Sequence, residues 1–112
     1  MDLHRLAEER SIAYHSAVAD RLRAEPGLVE IARARAGEWI QQGRSAHHAV
    51  RWRVLLDGPF PVLLEFLVDR GERARALRQS TPFAGFIDAR QRWQIWRDVR
   101  AGFEHQAEAL VR

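Results

Sequence analysis

The sequence predicts an all-α fold, a compact antiparallel bundle of five to six helices in which residues 1–112 form a single domain. Apolar residues recur at spacings of three and four along most of the chain, as in amphipathic helices. We find no run of strand length that alternates between apolar and polar residues. The connections between the predicted helices are short, which favours antiparallel neighbours. With 46% hydrophobic residues, the 112-residue chain can bury one core without disulfides or metals.

Prolines, glycines and capping residues mark the ends of six predicted helices. Asp2 is the expected N-cap of the first helix, and Ser45 that of the third. Gly43 follows the second helix, where a left-handed residue commonly ends a helix. Asp88 with Gln91 resembles a capping box before the last helix. The predicted helices span about residues 3–24, 28–42, 46–56, 61–70, 72–79 and 89–110.

Helical periodicity also predicts which side chains face inward. On the second helix the predicted stripe is Leu28, Ile31, Ala32, Arg35 and Trp39. The fourth helix is nearly apolar all round, so we expect it at the centre of the bundle. On the last helix we expect an inward seam that includes Trp93, Trp96 and Phe103. If these three do not all face inward, a homodimer of the chain would bury the excess apolar surface.

The distribution of charge is uneven. All 18 basic side chains are arginines, and the formal net charge is +3. Residues 1–30 hold four arginines against six acids, a net charge of −2, whereas residues 70–100 hold eight against three, a net charge of +5. An arginine-rich segment of this kind suits acidic protein surfaces or phosphate groups, because the guanidinium fork donates two hydrogen bonds at once.

The same composition predicts a cytoplasmic protein. The chain has no cysteine, which fits a reducing compartment and excludes a disulfide framework. The first residues include acids and lack the apolar segment of a secretory signal. The longest apolar stretch, residues 60–68, is too short to span a bilayer, so we expect no membrane partner.

Residue patterns for catalysis are weak, and we expect no enzyme activity, no cofactor and no metal. The serines and threonines lack a glycine elbow or a paired base. His47 and His48 are adjacent, so their side chains diverge by about 100° on a helix and cannot share a metal ion. Most carboxylates lie within one turn of an arginine, which favours solvated ion pairs.

The candidate binding surface combines basic and aromatic residues in the second half of the chain. Loops rarely hold two phenylalanines unless these pack into a core or meet a partner, and both alternatives stay open for the loop 80–86. A solvated, ion-paired helix face is the competing interpretation of the arginine cluster. The predicted partner-binding residues are Arg75, Arg78, Gln79, Phe83, Phe86, Arg92, Trp93 and Arg97.

The segment 73–86, followed by Arg92-Trp93 and Trp96-Arg97, and the segment 14–19 together resemble a known kind of protein. They are similar to small, arginine-rich helical proteins of GC-rich bacteria that look like antitoxin components of toxin–antitoxin pairs. The resemblance implies a protein that binds and neutralises a cognate toxin. It also implies binding to the protein's own operator DNA.

Two other functions remain as alternatives. A nucleic-acid-binding transcriptional regulator would use the same arginines, with a binding affinity that falls steeply with salt. A helix-turn-helix needs a tight turn between two short helices, and the seven or eight residues that contain Pro82 and Gly85 make a looser connection. A small enzyme would need a site assembled from residues distant in the sequence.

Overall fold

A computed structural model describes residues 2–111, and within them it confirms the all-α prediction, with six α-helices and no strand. A short 3-10 turn, Pro26–Leu28, joins the first two helices. The helices are α1 (Leu3–Ala24), α2 (Val29–Gln42), α3 (Ala46–Asp57), α4 (Phe60–Leu67), α5 (Glu72–Arg78) and α6 (Ala89–Val111). Except at α4, which ends three residues before the predicted position, their bounds lie within one residue of prediction.

Side-chain caps begin the two longest helices. The Asp2 carboxylate accepts hydrogen bonds from the backbone N–H groups of His4 and Arg5, at 3.0 and 3.2 Å. The Asp88 carboxylate accepts one from the N–H of Gln91, at 2.8 Å. Each bond satisfies an N–H group that has no partner within its own helix. The predicted cap at Asp2 is therefore confirmed, and of the capping box predicted for Asp88 and Gln91 the structure shows the bond to the Asp88 carboxylate.

The prediction that Ser45 caps α3 through its side chain is wrong. Ser45 lies in the left-handed region, with φ 46°, and its side chain makes no capping hydrogen bond. An N-cap side chain reaches the first turn from an extended backbone, which Ser45 does not have. Gly43 is also left-handed, with φ 69°, as predicted. Two left-handed residues so close together form the tight turn that folds α3 back against α2.

The core lies where α1, α3 and α4 meet. The indole of Trp52 is fully buried, and its Nε1 donates a hydrogen bond of 3.0 Å to the carbonyl of Leu77, which ties α3 to the end of α5. The ring meets Phe66 edge to face at 5.8 Å. Helix α4 contributes Leu63, Leu64 and Leu67 to the core, but it is not surrounded as predicted, since Val62 on its other side is 50% exposed.

The inward face of α2 differs from the predicted stripe. Its buried residues are Val29, Ala32 and Ala36, whereas Ile31 is 50% exposed. Two alanines on the buried face allow α3 to approach closely, because the distance between packed helices depends on the side chains at their contact. The predicted stripe is therefore correct at Ala32 and at Leu28, which packs against the core, and wrong at the exposed Ile31; Trp39 is half-buried.

The segment between α5 and α6 folds into the core. Phe83 is 0% exposed, and Phe86 and Ile87 are also buried. The Phe83 ring packs edge to face against Trp52, at 5.8 Å, and against Phe86, at 5.1 Å. The prediction that this loop is an outward surface is therefore wrong, because its two phenylalanines complete the aromatic centre of the bundle.

Side chains from α1 and α2 satisfy the backbone of this buried segment. The Tyr14 hydroxyl donates to the carbonyl of Phe83 at 2.6 Å, and Arg35 donates to the carbonyls of Pro82 and Ala84, at 2.8 Å each. Arg21 donates to the carbonyl of Phe86. Buried backbone carbonyls without such donors would be costly, so these bonds make the inward fold of the segment possible.

Helix α6 lies along α1 in the antiparallel direction. The Arg5 guanidinium lies 5.3 Å from the Phe103 ring, and that of Arg10 lies 5.9 Å from the Trp96 ring. No described residue of α6 is fully buried, and residues 104–111 are exposed throughout. The molecule is elongated, 53 × 28 × 24 Å, with a radius of gyration of 15.3 Å. A compact domain of this length would have about 13 Å.

The predicted inward seam of α6 is correct only in part. Trp96 and Phe103 are half-buried against α1, as are Ile95 and Val99, but Trp93 is 59% exposed. Because α6 packs along a single helix, its buried stripe is too narrow to include Trp93. None of the helices within residues 2–111 is both long and apolar enough to cross a membrane.

Replacing the buried Phe83 tests this arrangement. We expect Phe83→Ala to lower the free energy of unfolding by about 3–5 kcal/mol, since truncating a buried phenylalanine leaves a cavity. Trp93→Ala, which removes a larger but exposed ring, should cost less than about 1 kcal/mol. Urea unfolding followed by circular dichroism measures both. Equal, small losses in the two variants would contradict the buried position of Phe83.

Candidate functional site

The structure divides the eight predicted partner-binding residues among three places. Phe83 and Phe86 lie in the core, where no partner can reach them without unfolding the segment. Arg78 and Arg92 line one cavity, and Arg75 and Gln79 border a smaller depression beside it. Trp93 and Arg97 are exposed on α6. The prediction of one continuous binding surface is therefore wrong, because the structure separates these residues.

Acidic residues of α1 neutralise much of the basic edge around α5. Arg70 forms a two-pronged ion pair with Glu9, and the hydrogen bond from Arg70 lowers the pKa of the Glu9 carboxyl. Arg75 lies 3.6 Å from Glu8. The arginine cluster predicted as a docking edge is thus matched here by ion pairs, as in the competing interpretation of the sequence.

A cavity of about 480 Å³ lies between α1, the end of α5, the buried segment and α6. It is of the size that small-molecule sites commonly have, roughly 300–1,000 Å³. We call it the arginine cavity, because three guanidinium groups line it and no acidic residue does. Its lining residues are Ala7, Arg10, Ser11, Tyr14, His15, Arg78, Thr81, Ala84, Gly85, Arg92 and Trp96.

The three arginines of this cavity have hydrogen-bonding capacity to spare. None of Arg10, Arg78 and Arg92 forms a salt bridge with an acid within residues 2–111. In the same part of the chain, the buried Nε atoms of all three have no hydrogen-bond partner, and neither has Nη2 of Arg78. Buried donors are almost always paired in native proteins, so four such N–H groups around one cavity are unusual.

Arg78 is the most deeply placed of the three, since the residue is only 3% exposed. Its Nη1 donates to the carbonyl of Asp69 at 2.6 Å and is 3.4 Å from the carbonyl of Leu67, at the end of α4. Burial lowers the pKa of its guanidinium, but an arginine stays charged at neutral pH. One edge of the guanidinium is therefore fixed by the protein, while the other keeps free donors.

His15 lines the cavity, and its imidazole ring is neutral. Its Nδ1 lies 2.7 Å from the carbonyl of Ser11, which can only accept, so Nδ1 bears the proton. Its Nε2 then accepts from the Thr81 hydroxyl at 2.9 Å, and that hydroxyl accepts from the N–H of Phe83. Burial, with a smaller effect of the Arg78 charge, lowers the pKa of His15 to about 4.

Trp96 forms the wall of the cavity on the α6 side. The guanidinium carbons of Arg10 and Arg92 lie 5.9 and 5.6 Å from its ring centroid, within the range of a cation–π contact. Both arginines are only half-buried. Their charged ends are thus held against a flat aromatic surface without being fixed by an acid.

A second candidate surface is the outer face of α6, which consists of Arg90, Trp93, Arg97 and Arg100. Their spacings of three, four and three place them on one side of the helix, and all four are exposed. Arg100 pairs with Glu104 at 3.2 Å, whereas Arg90 and Arg97 form no salt bridge within residues 2–111. This face therefore offers a large aromatic side chain among largely uncompensated positive charges.

The arrangement is better suited to binding than to proton transfer. A histidine with a pKa of about 4 is a weak base at neutral pH, and the Thr81 hydroxyl already occupies its Nε2. No group of three or more histidine, aspartate or glutamate side chains within residues 2–111 could hold a metal ion. The lining of the cavity presents three guanidinium groups, a neutral histidine and no carboxylate.

Most residues that line the arginine cavity were not predicted from the sequence. Two of its three arginines, Arg78 and Arg92, were predicted as site residues. The residues not predicted include Arg10, Tyr14, His15, Thr81 and Trp96. The signal that existed was local: Arg10 and Tyr14 are four residues apart and share a side of α1, as do Ser11 and His15. What they face could not be inferred, because their neighbours come from residues 63 or more positions away.

Comparisons of this chain with protein-family models, with curated proteins and with solved structures found no match.

The buried, neutral His15 makes stability depend on pH. In the unfolded chain a histidine takes up a proton near its ordinary pKa of 6.5, whereas folded His15 does so only near 4. The stabilisation by the neutral ring is therefore present above pH 6.5 and is lost as the pH falls toward 4. We expect the free energy of unfolding to fall by about 2 kcal/mol between pH 7 and pH 5 from this group alone.

Urea unfolding at several pH values measures this dependence. His15→Gln should flatten it by about that amount, whereas His105→Gln, which changes an exposed histidine, should leave it unchanged. An NMR titration of the wild-type protein gives a second measurement that needs no variant. Protonation of the His15 ring above pH 6 would contradict its buried, neutral state.

Proposed function

We propose that this chain is a non-catalytic, cytoplasmic protein-binding module of the antitoxin type, which binds and neutralises an acidic partner toxin through the outer face of α6. The observation that carries the proposal is the exposure of Trp93 among arginines that have few acidic partners. Tryptophan and arginine are enriched at protein interfaces and often contribute most of the binding energy. The sequence resemblance to antitoxin components is what suggests a toxin as the partner.

The charge of the outer face supports an acidic occupant. Three arginines surround Trp93 along about two and a half turns of helix, and Glu104 at the end of the stripe offsets only Arg100. Complementary charge speeds association and excludes positively charged competitors. A helix that packs on one neighbour only, as α6 does on α1, also leaves this face open for a second protein.

A protein partner suits this surface better than DNA does. Nucleic-acid binding would recruit the arginines near α5, but Arg70 and Arg75 are paired with Glu9 and Glu8, and Arg78 is buried. Phosphate contacts need charges that are free to replace counterions along the backbone. A single exposed tryptophan flanked by arginines is instead typical of the centre of a protein interface.

Co-expression with the product of the neighbouring reading frame tests this function. We expect that product to arrest growth, and the wild-type chain to relieve the arrest and to bind the product directly. Trp93→Ala combined with Arg97→Ala should weaken binding at least about 30-fold, because truncating one central interface residue commonly costs about 2 kcal/mol or more. Isothermal titration calorimetry with the purified pair gives the affinities.

A matched control removes the same kinds of side chain elsewhere. Arg51 and Val54 are exposed on α3, so Arg51→Ala with Val54→Ala should keep wild-type affinity. Equal affinities in both double variants, or a neighbouring product that is neither toxic nor bound, would overturn the proposal. A sedimentation experiment showing a homodimer that depends on Trp93 would also overturn it, since the face would then be covered by a second copy.

A further inference from the structure

We propose that the arginine cavity is a binding site for a small organic oxyanion, a phosphate or carboxylate carried on a flat ring. The site adjoins the outer face of α6, where Trp93 meets Trp96 edge to face at 5.8 Å, but the proposal does not depend on toxin binding. Arg10, Arg78 and Arg92 supply the charge, and Trp96 supplies the surface for the ring. The following steps argue this from burial, hydrogen bonds and charge.

Arg78 supplies the hydrogen-bond donors at the centre of the proposed site. Arg78 uses Nη1 to bind the carbonyl of Asp69, and this contact accounts for its structural role at the end of α4. Its Nε and Nη2, which form the other edge of the guanidinium, have no partner within residues 2–111. That edge is the one that binds an oxyanion through two parallel hydrogen bonds. Arg78 is 3% exposed, and its Nε and Nη2 are themselves buried, so an oxyanion reaches this edge only when the lining of the cavity moves slightly apart.

The positive charge of the cavity also favours an anionic ligand. Three guanidiniums line it, His15 is neutral at physiological pH, and no carboxylate is among the lining residues. Glu8 and Asp69 are near enough to favour the charge of Arg78, but neither forms a salt bridge with it, and Glu8 pairs with Arg75. Like charges gathered in a partly buried site repel one another, and a bound anion would offset that repulsion through its attraction to the three guanidinium groups.

The walls indicate the body of the ligand. Ala7, Ala84 and Gly85 give the cavity a smooth apolar side, and Trp96 gives it a flat aromatic one. Gly85 is left-handed, with φ 81°, and this brings the chain past the cavity without a side chain at that position. A volume of about 480 Å³ holds an anion with one ring attached, but not a folded protein segment.

The two outer arginines complete the site. Arg10 and Arg92 come from α1 and α6, and each rests on Trp96 through a cation–π contact rather than on an acid. Their guanidinium groups can turn toward an oxyanion held by Arg78 while their stems stay against the indole. Binding would therefore link α1 to α6, which otherwise meet through half-buried side chains only.

Titrations with four probes test the site: inorganic phosphate, phenyl phosphate, benzoate and the neutral benzyl alcohol. Isothermal titration calorimetry measures affinity, and the indole N–H resonance of Trp96, assigned with Trp96→Phe, reports the place of binding. We expect phenyl phosphate to bind with a dissociation constant of about 1 mM or lower, and benzyl alcohol not to bind. The ring should strengthen binding at least about tenfold over inorganic phosphate. The ratio of the dissociation constants of phenyl phosphate and benzoate then identifies the anion that the site prefers.

Variants separate this site from general attraction to a basic protein. Arg92→Gln and Arg10→Gln should each weaken phenyl phosphate binding about tenfold or more, since each removes a charge-assisted contact. Arg51→Gln removes the same charge from exposed α3 and should change the affinity less than twofold. Circular dichroism and melting temperature confirm that Arg92→Gln, at a half-buried position, still folds.

Several results would overturn the proposal. Equal weakening by Arg92→Gln and Arg51→Gln would mean unspecific charge attraction, and phosphate binding unaffected by either would mean an adventitious ion only. Absence of binding by all three anions at about ten times the expected dissociation constant would exclude a small-ligand site. If Arg92→Gln then weakened toxin binding, the cavity would belong to the protein interface instead. Toxin binding can fail while phenyl phosphate still binds, so the two proposals are tested independently.

Discussion

The buried segment between α5 and α6 depends on donors that other helices bring to its carbonyl groups. A chain without regular hydrogen bonding can cross a core only if its polar backbone finds partners there. Tyr14 and Arg35 supply such donors to three consecutive carbonyls, and the N–H of Phe83 is bonded to the Thr81 hydroxyl. With the backbone satisfied, the Phe83 ring can fill the space beside Trp52. The rest of the bundle is built around that contact.

The same constraint creates the arginine cavity. Because His15 and Thr81 anchor the start of the segment to α1, the chain passes Arg78 and leaves a space under α6. Helix α6 cannot fill that space, since it packs along α1 only and contributes Trp96 and Arg92 at the rim. Fold and candidate site are therefore linked: the network that buries the loop also sets the geometry of the cavity. The cavity and the outer face of α6 adjoin each other, since Trp93 meets Trp96 edge to face at 5.8 Å.

Local sequence features predicted the helices well because local forces decide them. Carboxylate caps at Asp2 and Asp88, and Gly43 at a left-handed turn, act within a few residues of themselves. Ser45 shows the limit of this reasoning, since a capping residue also needs an extended backbone, which the tight turn after α2 denies it. The predicted stripe of α2 was wrong at Ile31 for a related reason: Ala32 and Ala36 face the core because a neighbouring helix must come close.

The sequence by itself determined the all-α class, the helix bounds and the concentration of arginine in the second half of the chain, because helical periodicity, caps and charge are properties of nearby residues. Tertiary structure alone decided that Phe83 and Phe86 are core, that Glu8 and Glu9 pair with arginines more than sixty positions away, and that Arg10 meets Arg78 and Arg92. Such outcomes depend on which side chain reaches which distant partner. A loop with two phenylalanines looks the same in sequence whether donors exist to bury it or not.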